Sequence, residues 1–416
     1  MATWDITKLS TEIEFDPING KQASNIIELD STHYIVAYQG LLSDGYVNIF
    51  ALDRSTWSLS TVTNFNFDID NCINPKLFKL SATKVLVIYG STGNDGFALI
   101  LNINPTTWAV TLGTPFEFDP VFFNGGSIEQ LDATHFLITY KGSTTSFAYS
   151  RVLVVDTIND TVAYTGGLFQ ASSFVANNVS TAKIDSNHVL LIHNDIISNP
   201  SVARVLEVNM STWEVSAVGT PFALDSMITS SGGSATNKID ANHFVVTYTQ
   251  APLFAVQSQV LAVDLSTWNV TAAGPEYVLD SGAMGTSAHM TIDSNHVIAT
   301  MKDNINNNIT TVLEIANDTY AVSEPGARLL IDAVIGAGWS SVSPILSGTT
   351  DKAIIVYEGT DSDGFAVVIN IELPVVTTVA IRSTVMGTGG RKQAKLAGMR
   401  SRRFARYPIS GSFPQE

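Results

Sequence analysis

One phrase returns along the chain at a nearly fixed interval. Its clearest copies read Leu131-Asp132-Ala133-Thr134-His135-Phe136, Ile184-Asp185-Ser186-Asn187-His188-Val189 and Ile239-Asp240-Ala241-Asn242-His243-Phe244. With the His slot as marker, the copies fall at His33, Lys84, His135, His188, His243, His296 and, more weakly, Lys352, in steps of 51, 51, 53, 55, 53 and 56 residues. That period is too long for the helical repeats of about 33–34 residues and close to the roughly 40–50 residues of a four-stranded β unit.

Two further landmarks run in phase with the first. The dipeptide Thr-Trp stands at Thr56-Trp57, Thr107-Trp108, Thr212-Trp213 and Thr267-Trp268, degraded to Thr319-Tyr320 and to Thr161-Val162. An apolar-x-apolar-Asp phrase follows it, as in Phe65-Asn66-Phe67-Asp68, Phe116-Glu117-Phe118-Asp119, Phe222-Ala223-Leu224-Asp225, Tyr277-Val278-Leu279-Asp280 and Leu329-Leu330-Ile331-Asp332. Within each unit the periodicity is that of strands. Segments such as Tyr34–Tyr38, Val85–Tyr89 and Phe244–Tyr248 are short, β-branched and aromatic, and they are apolar almost throughout, which means a strand covered on both faces. Turn clusters such as Ser43-Asp44-Gly45 and Asn94-Asp95-Gly96 follow and supply the positive φ of tight hairpins.

The predicted fold is therefore all-β: a seven-bladed β-propeller of four-stranded antiparallel blades, spanning residues 1–373, with a basic C-terminal extension over 374–416. In the first unit strand A is expected near Asn25–Leu29, B near His33–Gln39, C near Gly45–Leu52 and D near Trp57–Thr63. The seventh unit has no Thr-Trp after its C strand; the missing phrase sits at the other end of the chain, in Ala2-Thr3-Trp4-Asp5-Ile6-Thr7. An N-terminal strand completing the last blade would remove an open edge and close the ring, the competing assignment being a last strand over Val375–Ala380.

Composition narrows the classes. Only 14% of residues are charged while 45% are hydrophobic, ample for a large core. No run of about 18 apolar residues predicts a membrane span, no signal peptide is apparent, and a single cysteine, Cys72, excludes an intramolecular disulfide. Residues 1–373 carry a net charge of −23 and residues 374–416 a net +7. An acidic body argues against direct nucleic-acid binding by the propeller. The tail, with Arg391, Lys392, Lys395, Arg400, Arg402, Arg403 and Arg406, reads either as a docking arm for an acidic partner or as a solvated terminus.

The recurring polar residues read first as structure. His33, His135, His188, His243 and His296 each follow an Asp by three residues, and equivalent positions on separate blades are spread around a ring rather than gathered on one ion. Asp and Thr/Asn are expected to cap the A–B turn while His spans it to a neighbouring strand. Trp4, Trp57, Trp108, Trp213 and Trp268 are expected to cover the edges between blades, with sugar stacking as the alternative. Asp16, Asp68, Asp119, Asp225, Asp280 and Asp332 follow the outer strands in six of seven units and read as turn caps, with Ca²⁺ binding as the alternative. No cofactor is otherwise implied. The variable segments 142–150, 195–201, 251–257 and 303–309 are where specificity would reside. The serine-hydrolase elbow, the zincin and phosphate-loop motifs and the sialidase-type box are absent, so no catalytic residue is assigned.

The phrases Leu80-Ser81-Ala82-Thr83-Lys84-Val85-Leu86-Val87-Ile88-Tyr89 and Asn94-Asp95-Gly96-Phe97-Ala98-Leu99-Ile100, with the Asp-x-Thr/Asn-His phrase, resemble the degenerate propeller repeats of phage tail and other virion-associated proteins, and those of bacterial surface proteins. The resemblance implies a non-enzymatic virion structural protein (a tail, nozzle or decoration component) assembled in a host cytoplasm and partnered by other virion or surface-assembly subunits. The alternatives are a carbohydrate- or receptor-binding propeller at the cell surface or outside the cell and, third, a glycoside-active enzyme.

Overall fold

The computed structural model describes residues 4–374, apart from 19, 143–145, 174, 196–200, 225–233, 251–254, 282–285, 304, 306, 333–339 and 360–361. The expected tail arm, the alternative strand over 375–380 and Asp225 lie outside these residues, as do parts of the four variable segments.

Seven antiparallel sheets form, one per repeat unit, six of them running A-B-C-D in chain order. In blade 1 the strands are Ile27–Asp30, His33–Gln39, Gly45–Asp53 and Ser58–Asp68. The outer strand is longer than the expected Trp57–Thr63, because the apolar-x-apolar-Asp phrase belongs to it: Asn66 pairs with Tyr46 and Asp68 with Gly45 across a bulge. In blades 2, 5 and 6 the same outer strand is split into two short pieces that both pair with strand C. Blade 7 takes its A–C strands from Ser340–Val342, Lys352–Glu358 and Gly364–Ile371. Its outer strand is supplied by the N-terminus, with Ile6 opposite Ile371 and Lys8 opposite Ile369, so the ring closes as the displaced Thr-Trp phrase predicted.

The core lies between blades rather than within them. Seven buried clusters correspond to the seven interfaces, and strand B serves two of them at once. Ile35 and Ala37 point toward blade 2 with Val85, Val87 and Tyr89, whereas Tyr34, Val36 and Tyr38 point toward blade 7 with Ile354 and Val356. The period of two in a strand assigns alternate residues to opposite faces, and both faces are dry here, hence the unbroken apolar runs. Antiparallel order places the A–B and C–D turns on one face of the ring and the B–C turns and D-to-A crossings on the other.

Candidate functional site

The repeated His and Trp residues meet each other across blade boundaries. Each His ring lies flat on the aromatic ring of the following blade: His33 on Trp108 and His135 on Trp213 with centroids 3.6 Å apart, His188 on Trp268 at 3.6 Å, His243 on Tyr320 at 4.0 Å, and His296 on Trp4 at 3.7 Å. The Asp three residues earlier fixes each imidazole. Asp132 Oδ1 accepts from the backbone N–H of Thr134 and of His135, both at 2.8 Å, and from His135 Nδ1 at 2.9 Å. The expected turn cap is thus present, and the same carboxylate aims the ring at the neighbour.

The two lysine slots keep the contact with different chemistry. Lys352 Nζ sits 5.0 Å from the Trp57 ring centroid, a cation–π contact that joins blade 7 to blade 1. Lys84 forms an ion pair with Asp160 of blade 3. This corrects the assignment of Thr161-Val162 as the degraded Thr-Trp. The aromatic slot is occupied by Asp160, whose φ of +54° matches the +58° of Trp108 and the +61° of Trp213 and Trp268. The left-handed residue ends a C–D turn in which Asn104 Oδ1 accepts from the Thr106 and Thr107 N–H groups and Trp108 N–H donates to Asn104 O at 2.8 Å. A bulky residue there stores strain of about 1–3 kcal/mol, which the ring's packing on the next blade outweighs. Sequence inspection missed the pairing, although a signal existed: Lys and Asp replace His and Trp together.

A further marker of the same interface was also missed. A Cβ on Gly219 would lie 2.0 Å from the Trp268 carbonyl oxygen, and Gly219 itself has a φ of +67°. Gly113, Gly166 and Gly274 meet the corresponding carbonyls of Asp160, Trp213 and Tyr320, while at the blade 1–2 boundary Thr63 Oγ1 donates to Trp108 O at 2.8 Å instead.

On the opposite face Asp68 and Asp119 of the acidic register act as turn caps. Asp68 Oδ1 accepts from the Asp70 N–H at 2.8 Å and its Oδ2 from Ser91 Oγ at 2.8 Å; Asp119 Oδ1 accepts from the Val121 N–H and its Oδ2 from Tyr140 Oη at 2.9 Å. These carboxylates bind the next blade's strand B or its B–C turn, and no cluster of three metal-ligating side chains occurs among the described residues. The crossing loops they cap carry exposed aliphatic side chains. Ile18 is 58% exposed and Val121 46%, each two residues after the capping Asp of its crossing, Ile69, one residue after Asp68 on the crossing between them, is 79% exposed, and Leu42 in the adjoining B–C turn is 81% exposed.

The third feature is a cavity on the ring axis. It encloses about 360 Å³ and is bounded by the innermost strands of blades 1–6, with Asn25, Lys76, Ser127, Thr181, Asn237 and His289 contributed one per blade. Thr181 Oγ1 lies 2.7 Å from Ser127 Oγ and 2.9 Å from Glu129 Oε1. Burial pushes the Glu129 carboxyl up to about 7, against the lowering effect of Thr181 and Lys183. Burial pushes the His289 imidazole down to about 3, which keeps it neutral, and neither of its ring nitrogens has a hydrogen-bond partner. Burial also lowers the Lys76 ammonium, and no carboxylate offsets that effect.

No family model matches the chain, and no curated protein matches its sequence. Among solved structures, a candidate 6-phosphogluconolactonase from Bacteroides fragilis aligns with a TM-score of 0.56 at 12% identity, over 74% of this chain and 84% of that one. A second, from Bacteroides uniformis, aligns with a TM-score of 0.52 at 11% identity, over 73% and 84%. Saccharomyces cerevisiae Sqt1 aligns with a TM-score of 0.52 at 9% identity, over 88% and 99%. At such identities the likeness is one of fold: the chain is a seven-bladed β-propeller. None of these three is a phage tail protein.

Proposed function

We propose that this propeller is a non-enzymatic scaffold that engages another protein through its loop face, as a tail, nozzle or decoration component of a virion. The observation that carries the reading is the set formed by Ile18, Ile69 and Val121 with Leu42, large exposed aliphatic groups on three successive crossings and on the adjoining B–C turn. Isolated exposed aliphatics are ordinary, but a series of them on one rim of a rigid ring is the composition of a contact surface. The repeat resemblance and the basic tail supply the virion setting.

The test uses the full chain with Leu42→Asp and Ile69→Asp together, both positions exposed enough for the fold to tolerate the charge. Co-sedimentation with assembled particles should be lost while the circular dichroism spectrum and melting temperature hold. Undiminished incorporation of the double variant would refute the reading.

A second reading, carbohydrate or receptor binding, is favoured by the axial cavity with its polar lining. It expects glycan binding by the intact protein, and a silent glycan array counts against it. The fold shared with candidate lactonases keeps an enzyme as the third alternative.

A further inference from the structure

The axial cavity has a charge pattern unlike the rest of the ring. Residues 1–373 carry a net −23, yet Lys76 lines the cavity with no ion pair to any described residue. The neighbouring lysines of the inner strands are differently placed. Lys183 donates to the Gln130 carbonyl and Lys238 to the Ile184 carbonyl, each binding the preceding blade's A–B turn, so they are engaged in holding the ring together. Lys76 belongs to the strand Ile73–Lys79, whose Leu77 is held from blade 1 by Asn25: Asn25 Nδ2 donates to Leu77 O at 2.9 Å and the Leu77 N–H donates to Asn25 Oδ1 at 3.0 Å. The residue adjoining Lys76 is therefore fixed while the ammonium itself has no partner among the described residues.

Across the cavity the other polar groups are neutral. The Ser127 hydroxyl, which accepts from Thr181, keeps its own proton to donate, and His289 offers one donor and one acceptor nitrogen that no described residue meets. Buried polar atoms left unpaired in this way cost about 1–3 kcal/mol each unless a water or ligand meets them. Glu129, the nearest acidic group, has its negative charge disfavoured by burial.

We propose that the axial cavity is a binding site for a small oxyanion, a phosphate or a carboxylate, held by the Lys76 ammonium with the His289 imidazole and the Ser127 hydroxyl completing its hydrogen bonds. A volume of about 360 Å³ is at the lower end of the roughly 300–1,000 Å³ of small-molecule pockets, so a compact ligand is indicated. An ammonium among neutral polar groups recognises negative oxygen, and a cation there would meet Lys76 unfavourably. This site is independent of the loop face, and either can fail without the other.

Isothermal titration calorimetry on the full chain at low salt, with inorganic phosphate, malonate and glucose as separate titrants, tests the inference. One-to-one binding of phosphate or of malonate, whichever oxyanion is preferred, with no binding of glucose, is expected. Lys76→Met should weaken that binding at least tenfold and leave the melting temperature no lower than that of the unmodified protein, since no ion pair to a described residue is removed. Lys76→Arg, which keeps the charge, should retain measurable binding and guards against a packing effect of the methionine. The inference is overturned if neither oxyanion binds, if glucose binds as well as they do, or if Lys76→Met binds as tightly as the unmodified protein.

Discussion

Replacing Trp108 separates the two forces that act on the inter-blade stack. The indole is partly buried against blade 1 and lies 3.6 Å from the His33 ring at an interplanar angle of 22°. Removing roughly 150 Å² of apolar surface from burial at about 25 cal/mol per Å² costs ~3–4 kcal/mol as an upper figure. Loss of the ring–ring contact adds roughly 1 kcal/mol. Trp108→Ala should therefore destabilise the protein by about 3–5 kcal/mol. Its φ of +58° makes a further, unusual demand: Trp108→Gly should be less damaging than Trp108→Ala by about 1 kcal/mol, the reverse of the usual order within a strand. Urea denaturation followed by far-ultraviolet circular dichroism measures all three proteins. A double-mutant cycle with His33→Ala should give a coupling of about 1 kcal/mol, and the same cycle with His135→Ala, whose partner is Trp213, should give none. Equal couplings in the two cycles, or an alanine variant more stable than the glycine variant, would show that the stack and the left-handed turn are not what holds this edge.

Gly219→Ala should cost at least ~2 kcal/mol, since its Cβ would meet the Trp268 carbonyl at 2.0 Å and its φ is +67°; a melting temperature unchanged from the native protein would exclude that close approach. Acid should weaken the stacks. Burial opposes the charge of Asp30, Asp132, Asp185 and Asp240, but backbone N–H groups and the partner His rings hold all four carboxyls below their ordinary value. Folded values below unfolded ones mean the stabilisation is complete above about pH 4 and is lost as pH falls through the folded values. Asp132→Asn should accordingly show a shallower decline in stability below pH 4 than the native chain, and parallel declines would refute the assignment. Deleting residues 1–8 removes the strand paired to Ile369–Ile371 and the Trp4–His296 stack, and should lower the melting temperature by several degrees; an unaltered value would reinstate a C-terminal closure.

The seven-fold register, the four strands per blade and the N-terminal closure were legible because each is written in local pattern. Unbroken apolar runs in strand B, turn residues at fixed offsets and a displaced Thr-Trp phrase require no knowledge of which blade touches which. The site was much less legible. His135 and Trp213 stand 78 positions apart and in different units, so nothing local announces that one lies on the other. Asp160 was misassigned for the same reason: alignment by residue type favoured Val162, whereas the left-handed φ and the ion pair to Lys84 identify its place only once blade 2 is set beside blade 3. Lys76 and His289 lack any distinguishing motif and become notable solely because six inner strands converge on one axis.

The repeat itself thus determined how many blades there are and how each is folded, since hydrogen bonding within a sheet and the period-two burial of its strands are properties of short stretches of chain. Which polar groups are satisfied, which glycines admit a neighbour's carbonyl, and which side chains line the axial cavity were decided only by assembly of the ring. Those features depend on contacts between residues about fifty or more positions apart, and their energies come from desolvation and from geometry across a boundary that no single unit contains.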